Sequence, residues 1–413
     1  MASSGMLKHL PFFEVLGTLD EADPSWRSVS AGLVVLRLVD AWTEEGPSVT
    51  AADSWALSSV LSAIEDVPST TTVRPILRSI VEAMASARTA DMHAVTPRLM
   101  AYGQALEYES KWKLAADVYR TIIAHAHPID DADIAVPAHL QLASCLNSIG
   151  ETEDAGAAYG DAGRVAEASG DLIGVLRARI GEAQLAARRG NVPEAEAILD
   201  ETIARAGQHG LADVSSRALH DRAYVAGLRG QYDRAVQFGY RALELATSQR
   251  QRDRVLADIA TAMLYLGVLD AARDAYLVLA ATAQEQYVRW TSALNLMEIA
   301  ARQGFEPVFE RYRHDFETTE LPPYLAARYL IVVGEGYHSL GRVESSASYL
   351  ERAIDLAARH RLNQLVFEAE SSLAAARSSK RRLTSGAPQE VPVEVAGVAR
   401  AIHQMKASAG IPG

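Results

Sequence analysis

Cysteine is nearly absent from this chain of 413 residues, because Cys145 is its only representative. A single thiol excludes both a disulfide framework and a thiolate metal cluster. No run of about 20 apolar residues occurs, so the sequence predicts no membrane-spanning helix. Residues Met1–Leu19 lack a basic start followed by an unbroken apolar stretch, and we expect no secretory signal peptide. The expectation is a soluble cytoplasmic protein.

Aromatic residues and positive charge are also in short supply. Aromatic residues make up 7% of the residues against 49% for all hydrophobic residues, so alanine provides much of the expected packing. The formal net charge is −12, which argues against a nucleic-acid partner and against an anionic membrane surface.

Signatures of catalysis are missing as well. The sequence has no Gly-rich phosphate loop, no His-Glu-x-x-His motif and no nucleophile elbow. His125 and His127 stand together before Pro128, and we expect a surface loop there, because a metal site needs further ligands that the sequence does not indicate. Cys145 lies in an apolar stretch and is expected to be an inert buried thiol. The sequence therefore predicts no enzyme, no cofactor and no metal.

Glycine, by contrast, recurs with a regular period. Six glycines follow one another at spacings of 40, 40, 37, 37 and 37 residues, and they are Gly150, Gly190, Gly230, Gly267, Gly304 and Gly341. A small residue stands seven residues before most of them and five residues after, as Ala183 and Ala195 do around Gly190. An earlier copy keeps this frame without the glycine, at Gly103, Ser110, Ala115 and Tyr119. Self-similarity at this period is typical of stacked helical hairpins.

The frame around Gly190 shows why each copy predicts two helices. Good helix formers precede Gly190, and glycine ends a helix at low cost because it adopts the left-handed conformation. The second helix begins near Pro193, since proline is tolerated in the first turn of a helix. Ala183 and Ala195 lie where the two helices should cross, and small side chains there allow a close approach.

This arrangement of small residues, turn glycine and large residue one turn later resembles the tetratricopeptide repeat superfamily. The resemblance covers about residues 96–376 in about seven copies, of which the copy at Gly304 is degenerate, with Met297 and Phe309 in place of small residues. The period exceeds the usual length of about 34 residues. In this longer period the sequence is similar to kinesin light chains, Rap-type peptide-sensing regulators and the sensor arms of large bacterial transcription activators. The resemblance implies an all-α right-handed superhelix of about seven hairpins with helical caps at both ends.

The two flanks of the repeats predict further helices. Residues 1–95 predict helices over 25–43, 51–65 and 73–88, which form either a cap on the repeats or a separate bundle that couples to a partner. Residues 377–391 predict a basic helix end at Lys380–Arg382, more typical of a solvated helix end than of a nucleic-acid patch, followed by a linker. Residues 392–408 predict an amphipathic helix that docks either on the solenoid or on a partner. Its apolar stripe is Val395, Val398, Ala399, Ile402 and Met405.

Arginine recurs thirteen residues before four of the turn glycines, at Arg177, Arg217, Arg254 and Arg328. In tetratricopeptide-like solenoids the first helix of each hairpin lines the concave groove, and this offset faces the groove. The predicted ligand-binding groove consists of Arg177, Gln184, Arg188, Arg217, His220, Tyr224, Arg254, Tyr265, Arg302, Arg328, Glu335 and His338. Guanidinium groups suit carboxylates, so the expected ligand is an acidic peptide segment or the C-terminal carboxylate of a protein. The alternative is ordinary ion pairing on the helix surface, since Asp221 and Asp258 stand one turn after Arg217 and Arg254.

Taken together, these patterns predict a non-enzymatic scaffold or adaptor that binds a protein or peptide segment in the groove or at an exposed edge. The alternative is a peptide-sensing regulator similar to the Rap-type proteins, with residues 1–95 as its output region. A third hypothesis is an accessory subunit of an enzyme complex. None of these patterns specifies the oligomeric state.

Overall fold

The computed structural model describes residues 8–45, 51–87, 91–127, 130–378 and 392–411, and these residues contain twenty α-helices and no β-strand. The protein divides into two compact units, residues 1–206 and 207–413. The basic run Lys380–Arg382 and the linker that follows it lie outside the described residues. Consecutive helices pack as adjacent pairs, so the predicted all-α, tetratricopeptide-like architecture is confirmed.

The first unit consists of helices α1 to α10. Their bounds are α1 Leu10–Leu16, α2 Pro24–Glu45, α3 Ala51–Glu65, α4 Val73–Ser86, α5 Met92–Tyr108, α6 Trp112–His125, α7 Ala132–Ile149, α8 Thr152–Ser169, α9 Leu172–Arg188 and α10 Val192–Gln208. The three helices predicted before the repeats correspond to α2, α3 and α4, whereas α1 was not predicted. One continuous apolar core runs from Phe12 to Leu185, so the flanking helices and the repeats of this unit share a core.

The second unit contains helices α11 to α20. Their bounds are α11 Ala212–Leu228, α12 Tyr232–Leu245, α13 Gln249–Tyr265, α14 Leu269–Thr282, α15 Gln286–Arg302, α16 Glu306–Glu317, α17 Pro323–Ser339, α18 Val343–Arg359, α19 Asn363–Arg377 and α20 Val393–Ser408. The hairpins of the protein therefore start at α5, α7, α9, α11, α13, α15 and α17, which matches the predicted number of seven.

All six recurrent glycines form the same turn. Their φ angles lie between 70° and 89°, in the left-handed region where a side chain is strained. The residue after each glycine donates its backbone N–H to the carbonyl five residues earlier, as Asn191 does to Ala186 at 2.8 Å. This hydrogen bond satisfies a carbonyl at the end of the first helix. The copy without glycine makes the same turn, with Ser110 at φ 58° and Lys111 bonded to Leu106 at 2.8 Å.

Small residues on the first helices make room for aromatic rings of the neighbouring second helices. A Cβ atom on Gly103 would lie 2.5 Å from the Tyr119 ring, and one on Gly181 would lie 2.1 Å from the Tyr159 ring. The degenerate copy is compensated in the same way, because the fully buried ring of Phe309 packs where a Cβ atom on Gly336 would be 2.3 Å away. The large residue of that copy is accommodated by the next repeat.

Helices α1 and α2 pack on the second helix α6, whereas α4 packs on α5. His9, just before α1, lies 2.7 Å from Asp117 through its Nδ1 atom, and Asp40 of α2 lies 2.7 Å from Nε2 of His125. Burial alone would lower the pKa of His9, but the hydrogen bond and charge of Asp117, together with Asp40, raise it. The prediction of a surface loop is therefore wrong for His125, whose side chain is largely buried against α2. His127 does lie in an exposed turn, beside Asp130.

The last helix, α20, packs on the second helices α12 and α14 of its own unit, which decides between the two predicted docking modes. Val395, Val398 and Ile402 are buried in this contact. The Nζ atom of Lys406 lies 2.7 Å from a carboxylate oxygen of Asp274, and both side chains are at least nine-tenths buried. Burial would raise the pKa of Asp274, but the bonds from Lys406 and from His403 of α20 lower it.

The two anchoring carboxylates occupy the same position of the repeat. Asp117 stands two residues after Ala115, and Asp274 stands two residues after Ala272. The remaining second helices have other residues at this position, namely Ala157, Ala197, Gln237, Arg311 and Ser348. Each of the two aspartates is bonded by a basic side chain from a segment outside the hairpins. In both units, therefore, an aspartate at this repeat position anchors a flanking segment.

Candidate functional site

Within each unit the first helices of successive hairpins contact one another and form a layer. In the first unit this layer is α5, α7 and α9, and in the second unit it is α11, α13, α15, α17 and α19. We call the solvent-facing side of this layer the first-helix surface of that unit. All twelve residues predicted to bind a ligand lie on these helices, three in the first unit and nine in the second.

The three predicted residues of the first unit lie along α9. Arg177 is half-buried, whereas Gln184 and Arg188 are exposed. Arg188 donates a hydrogen bond to the backbone carbonyl of Asn147 in the preceding first helix. Arg177 and Gln184 also have interaction partners within the protein. The Arg188 side chain therefore bridges neighbouring repeats as well as facing solvent.

Ion pairs connect the predicted residues of α11 and α13. Nε of Arg217 lies 2.9 Å from Asp213, one turn before it. Nε2 of His220 lies 2.6 Å from Asp258 on the next first helix, which is the aspartate that the alternative interpretation paired with Arg254. Burial would lower the pKa of His220, but Asp258 and Asp221 raise it. Arg217 therefore pairs within its own helix, as the alternative interpretation expected of this surface, whereas His220 pairs with the next repeat.

Arg254 shares its carboxylate with a second arginine. Its Nη2 atom lies 3.4 Å from Oε1 of Glu285, and Nε of Arg250 contacts the same oxygen. More than half of each arginine side chain is exposed, whereas that of Glu285 is mostly buried. Two guanidinium groups therefore share the single carboxylate of Glu285. The guanidinium of each arginine has further N–H groups that remain available to an acceptor.

Carboxylates are more abundant around α15, α17 and α19. Arg302 pairs with Glu298 at 2.6 Å, and Arg328 pairs with Glu368. Burial would lower the pKa of Arg328, but Glu368, Glu298 and Glu335 raise it. This end of the surface is therefore acidic around Arg328.

Two further predicted residues lie on α17. Glu335 accepts a hydrogen bond from Ser372 of α19 at 2.6 Å, which connects neighbouring first helices. His338 has both ring nitrogens buried without a hydrogen-bond partner among the described residues. Both side chains are half-buried, so neither projects fully from the first-helix surface.

Exposed aromatic rings lie on the same surface. Tyr224 is 61% exposed and Tyr265 is 63% exposed, and the ring of Tyr265 stacks on Tyr232 with centroids 4.8 Å apart. Tyr287 and Tyr324, which are 48% and 47% exposed, were not among the predicted residues. Each stands seventeen residues before its turn glycine (304−287 and 341−324), a recurrence that the sequence does contain. Exposed aromatic side chains offer rigid apolar contact area to a partner.

Other candidate chemistry is limited. Cys145 is buried, and burial, followed by the charge of Glu107, raises the pKa of its thiol, so the thiolate is disfavoured. No group of three or more His, Cys, Asp or Glu side chains within the described residues is arranged to hold a metal ion. A transmembrane segment is absent from the described part of the protein, where no helix combines the necessary length with the necessary hydropathy.

No family model matches the sequence, and no curated protein matches it significantly. Among solved structures, it is similar to a signal transduction ATPase with a tetratricopeptide repeat sensor from Pyrococcus horikoshii, with 12% identity, a TM-score of 0.49, and coverage of 99% of this chain and 61% of that chain. It is similar to the quorum sensor NprR from B. thuringiensis, with 15% identity, a TM-score of 0.46, and coverage of 84% and 92%. It is also similar to PilF from Pseudomonas aeruginosa, with 16% identity, a TM-score of 0.42, and coverage of 58% and 99%.

The helix order and the turn geometry define the class of this protein. It is an all-α repeat protein built from helical hairpins that recur every 37 to 40 residues. The first helices of its second unit carry both exposed aromatic rings and arginine–carboxylate pairs.

Proposed function

We propose that this protein is a non-enzymatic adaptor whose second unit binds a segment of a partner protein on its first-helix surface. The observation that supports this most directly is the pairing of Arg250 and Arg254 with the single carboxylate of Glu285, on a layer that also exposes Tyr224 and Tyr265. Two arginines that share one carboxylate, on a layer that also exposes aromatic rings, suit an acidic segment with apolar residues, or a segment that ends in a C-terminal carboxylate.

The aromatic rings and the arginines would make different contributions to binding. Tyr224 and Tyr265 supply apolar area with few rotatable bonds, which limits the entropy lost on binding. The guanidinium groups of Arg217 and Arg254 are already held by carboxylates, so they are partly ordered before a ligand arrives. Residues of this kind are enriched among those that dominate binding energy at interfaces.

Affinity capture from native lysate, with the tagged protein as bait, tests this proposal. Reversing the charges of Arg217 and Arg254 to Glu, or changing Tyr265 to Ala, is expected to abolish capture of the specific partner. The matched control is Arg359→Glu on the second helix α18, since Arg359 is also an exposed arginine in an i,i+4 pair, with Asp355. Capture that survives the first-helix changes, or that is lost equally in the control, would exclude this surface.

A second candidate function is a peptide-sensing regulator with residues 1–95 as the output region. The contacts that favour it are the hydrogen bonds from His9 to Asp117 and from His125 to Asp40, which join the N-terminal helices to a repeat helix. Movement of α6 would be transmitted to α1 and α2 through these bonds. Hydrogen exchange of α1 and α2 with and without the captured segment tests this, and unchanged exchange at saturation would rule it out.

A further inference from the structure

A cleft of about 240 Å³ lies on the first-helix surface of the first unit, between α5 and α7. Met100, Ile134 and the rings of Pro97 and Pro137 give it apolar walls. The cleft is contained entirely in the first unit and includes none of the arginines of the second unit.

Two prolines alter the backbone at this cleft. Pro97 and Pro137 lie inside helices α5 and α7, thirteen residues before the turn residues Ser110 and Gly150. This is the repeat position that arginine occupies in other copies. Proline has no N–H, so the carbonyl oxygens four residues earlier lose their helical donor. Those carbonyls belong to His93 and Asp133, and both residues line the cleft.

The hydroxyl of Thr96 is a third acceptor at the cleft. Thr96 is 6% exposed, its Oγ1 atom has no hydrogen-bond partner among the described residues, and it lines the cleft. A threonine inside a helix ordinarily bonds a carbonyl of the preceding turn. A buried hydroxyl without a partner costs stability, so its persistence at a cleft indicates a ligand that completes it.

Negative charge surrounds the same place. Nε2 of His93 lies 3.4 Å from Asp133, its Nδ1 lies 3.1 Å from Asp91, and Asp131 lies 4.0 Å away. Among the described residues, three carboxylates therefore face one histidine. A positively charged donor in the cleft would donate hydrogen bonds to the two carbonyls and would offset part of the negative charge of the nearby carboxylates.

We infer that this cleft binds a primary ammonium group on an aliphatic stem, supplied either by a lysine side chain or by the N-terminal residue of a protein segment. The three N–H donors of an ammonium match three separate acceptors, namely the carbonyl of His93, the carbonyl of Asp133 and the hydroxyl of Thr96. A guanidinium fits less well, since its planar fork is suited to bidentate pairing with a single carboxylate. The aliphatic stem packs on Met100 and Ile134. This site is independent of the acidic-segment surface proposed for the second unit.

Methyl NMR of the whole protein tests the inference with three probes. Nα-acetyl-lysine amide presents a side-chain ammonium, leucinamide presents an α-ammonium, and Nα-acetyl-norleucine amide is the uncharged control. Saturable shifts of the Thr96, Met100 and Ile134 methyl signals are expected with an ammonium probe and not with norleucine. Tighter binding of the lysine probe identifies a side chain as the ligand, and tighter binding of leucinamide identifies an N-terminal residue.

Three variants separate binding from structure. Thr96→Val keeps the shape of the side chain and removes the unpartnered hydroxyl, so it should weaken ammonium binding at least fivefold while leaving the melting temperature unchanged or higher. Pro97→Ala restores a donor to the His93 carbonyl and should also weaken binding. Asp130→Asn, outside the cleft, is the control and should bind normally. Absence of saturable shifts with both ammonium probes, equal shifts with norleucine, or unaltered affinity in Thr96→Val would overturn the inference.

Discussion

Enlarging Gly181 by one methyl group tests the packing rule that builds this repeat array. A Cβ atom there would lie 2.1, 2.3 and 2.4 Å from three ring atoms of Tyr159. These distances are far inside van der Waals contact, and the Tyr159 ring is buried, so relief of the clash requires repacking of the core. Overpacking of this kind costs about 1–3 kcal/mol of unfolding free energy.

The control for Gly181→Ala is Gly160→Ala, one helix earlier. Gly160 also lies inside a helix, but an added Cβ atom there meets nothing within 4 Å. Both substitutions gain the same helix propensity, of about 0.5–1 kcal/mol. The difference between the two variants therefore isolates the clash and should equal about 1–3 kcal/mol, with Gly160→Ala the more stable.

Urea unfolding followed by circular dichroism measures this difference from the transition midpoints at constant m-value. The double variant Gly181→Ala with Tyr159→Leu should recover most of the loss, because the leucine vacates the space that the new methyl group needs. Equal stability of Gly181→Ala and Gly160→Ala would refute the reasoning, since it would mean that ring and glycine do not meet.

Three further predictions concern the flanks and the turns. Lys406→Met leaves the buried Asp274 carboxylate with His403 as its remaining partner, and loss of one partner of a buried ion pair costs about 3–5 kcal/mol. We therefore expect faster hydrogen exchange throughout α20. Exchange identical to that of the parent protein would contradict this prediction. The pKa of His9 is raised above its ordinary value of 6.5 in the folded protein. Its charged bond to Asp117 therefore contributes its full stability below pH 6.5, and this contribution is lost as the pH rises through the pKa of the folded state. Helix α1 should thus be less protected from hydrogen exchange at alkaline pH. Protection of α1 that is independent of pH, after correction for intrinsic exchange, would show that the charge of His9 is irrelevant to docking. Ser110→Gly removes the strain of a non-glycine residue in the left-handed backbone conformation and should stabilise the protein by about 1 kcal/mol. A lower melting temperature than that of the parent protein would show that this turn is not strained.

Much of the repeat architecture could be predicted from the sequence, because it rests on local chemistry. A glycine with positive φ and a small residue at the helix crossing leave their mark within one hairpin, as Gly190 and Ala195 do. The tolerance of the degenerate copy was harder to foresee, because Phe309 is accommodated by Gly336 from the following repeat. A sequence pattern defined within one repeat cannot predict a contact between side chains of two different repeats.

The predicted ligand-binding residues illustrate the same limit. Their place on the first helices followed from the repeat position, but their charge partners did not. His220 pairs with Asp258, which is 38 residues away, and Arg254 pairs with Glu285, which is 31 residues away. The burial of His125 depends on Asp40, at a separation of 85 residues. Whether a surface arginine is available to a ligand is decided by such distant neighbours.

The shared location of Asp117 and Asp274 has a consequence for how arrays of this kind acquire appendages. A carboxylate at this position binds a basic side chain in both units, and the corresponding residue of α8, Ala157, is exposed. We expect that Ala157→Asp would give a third hairpin a carboxylate able to hold a basic flanking segment. The hairpin on which such a segment docks could then be changed by a single substitution.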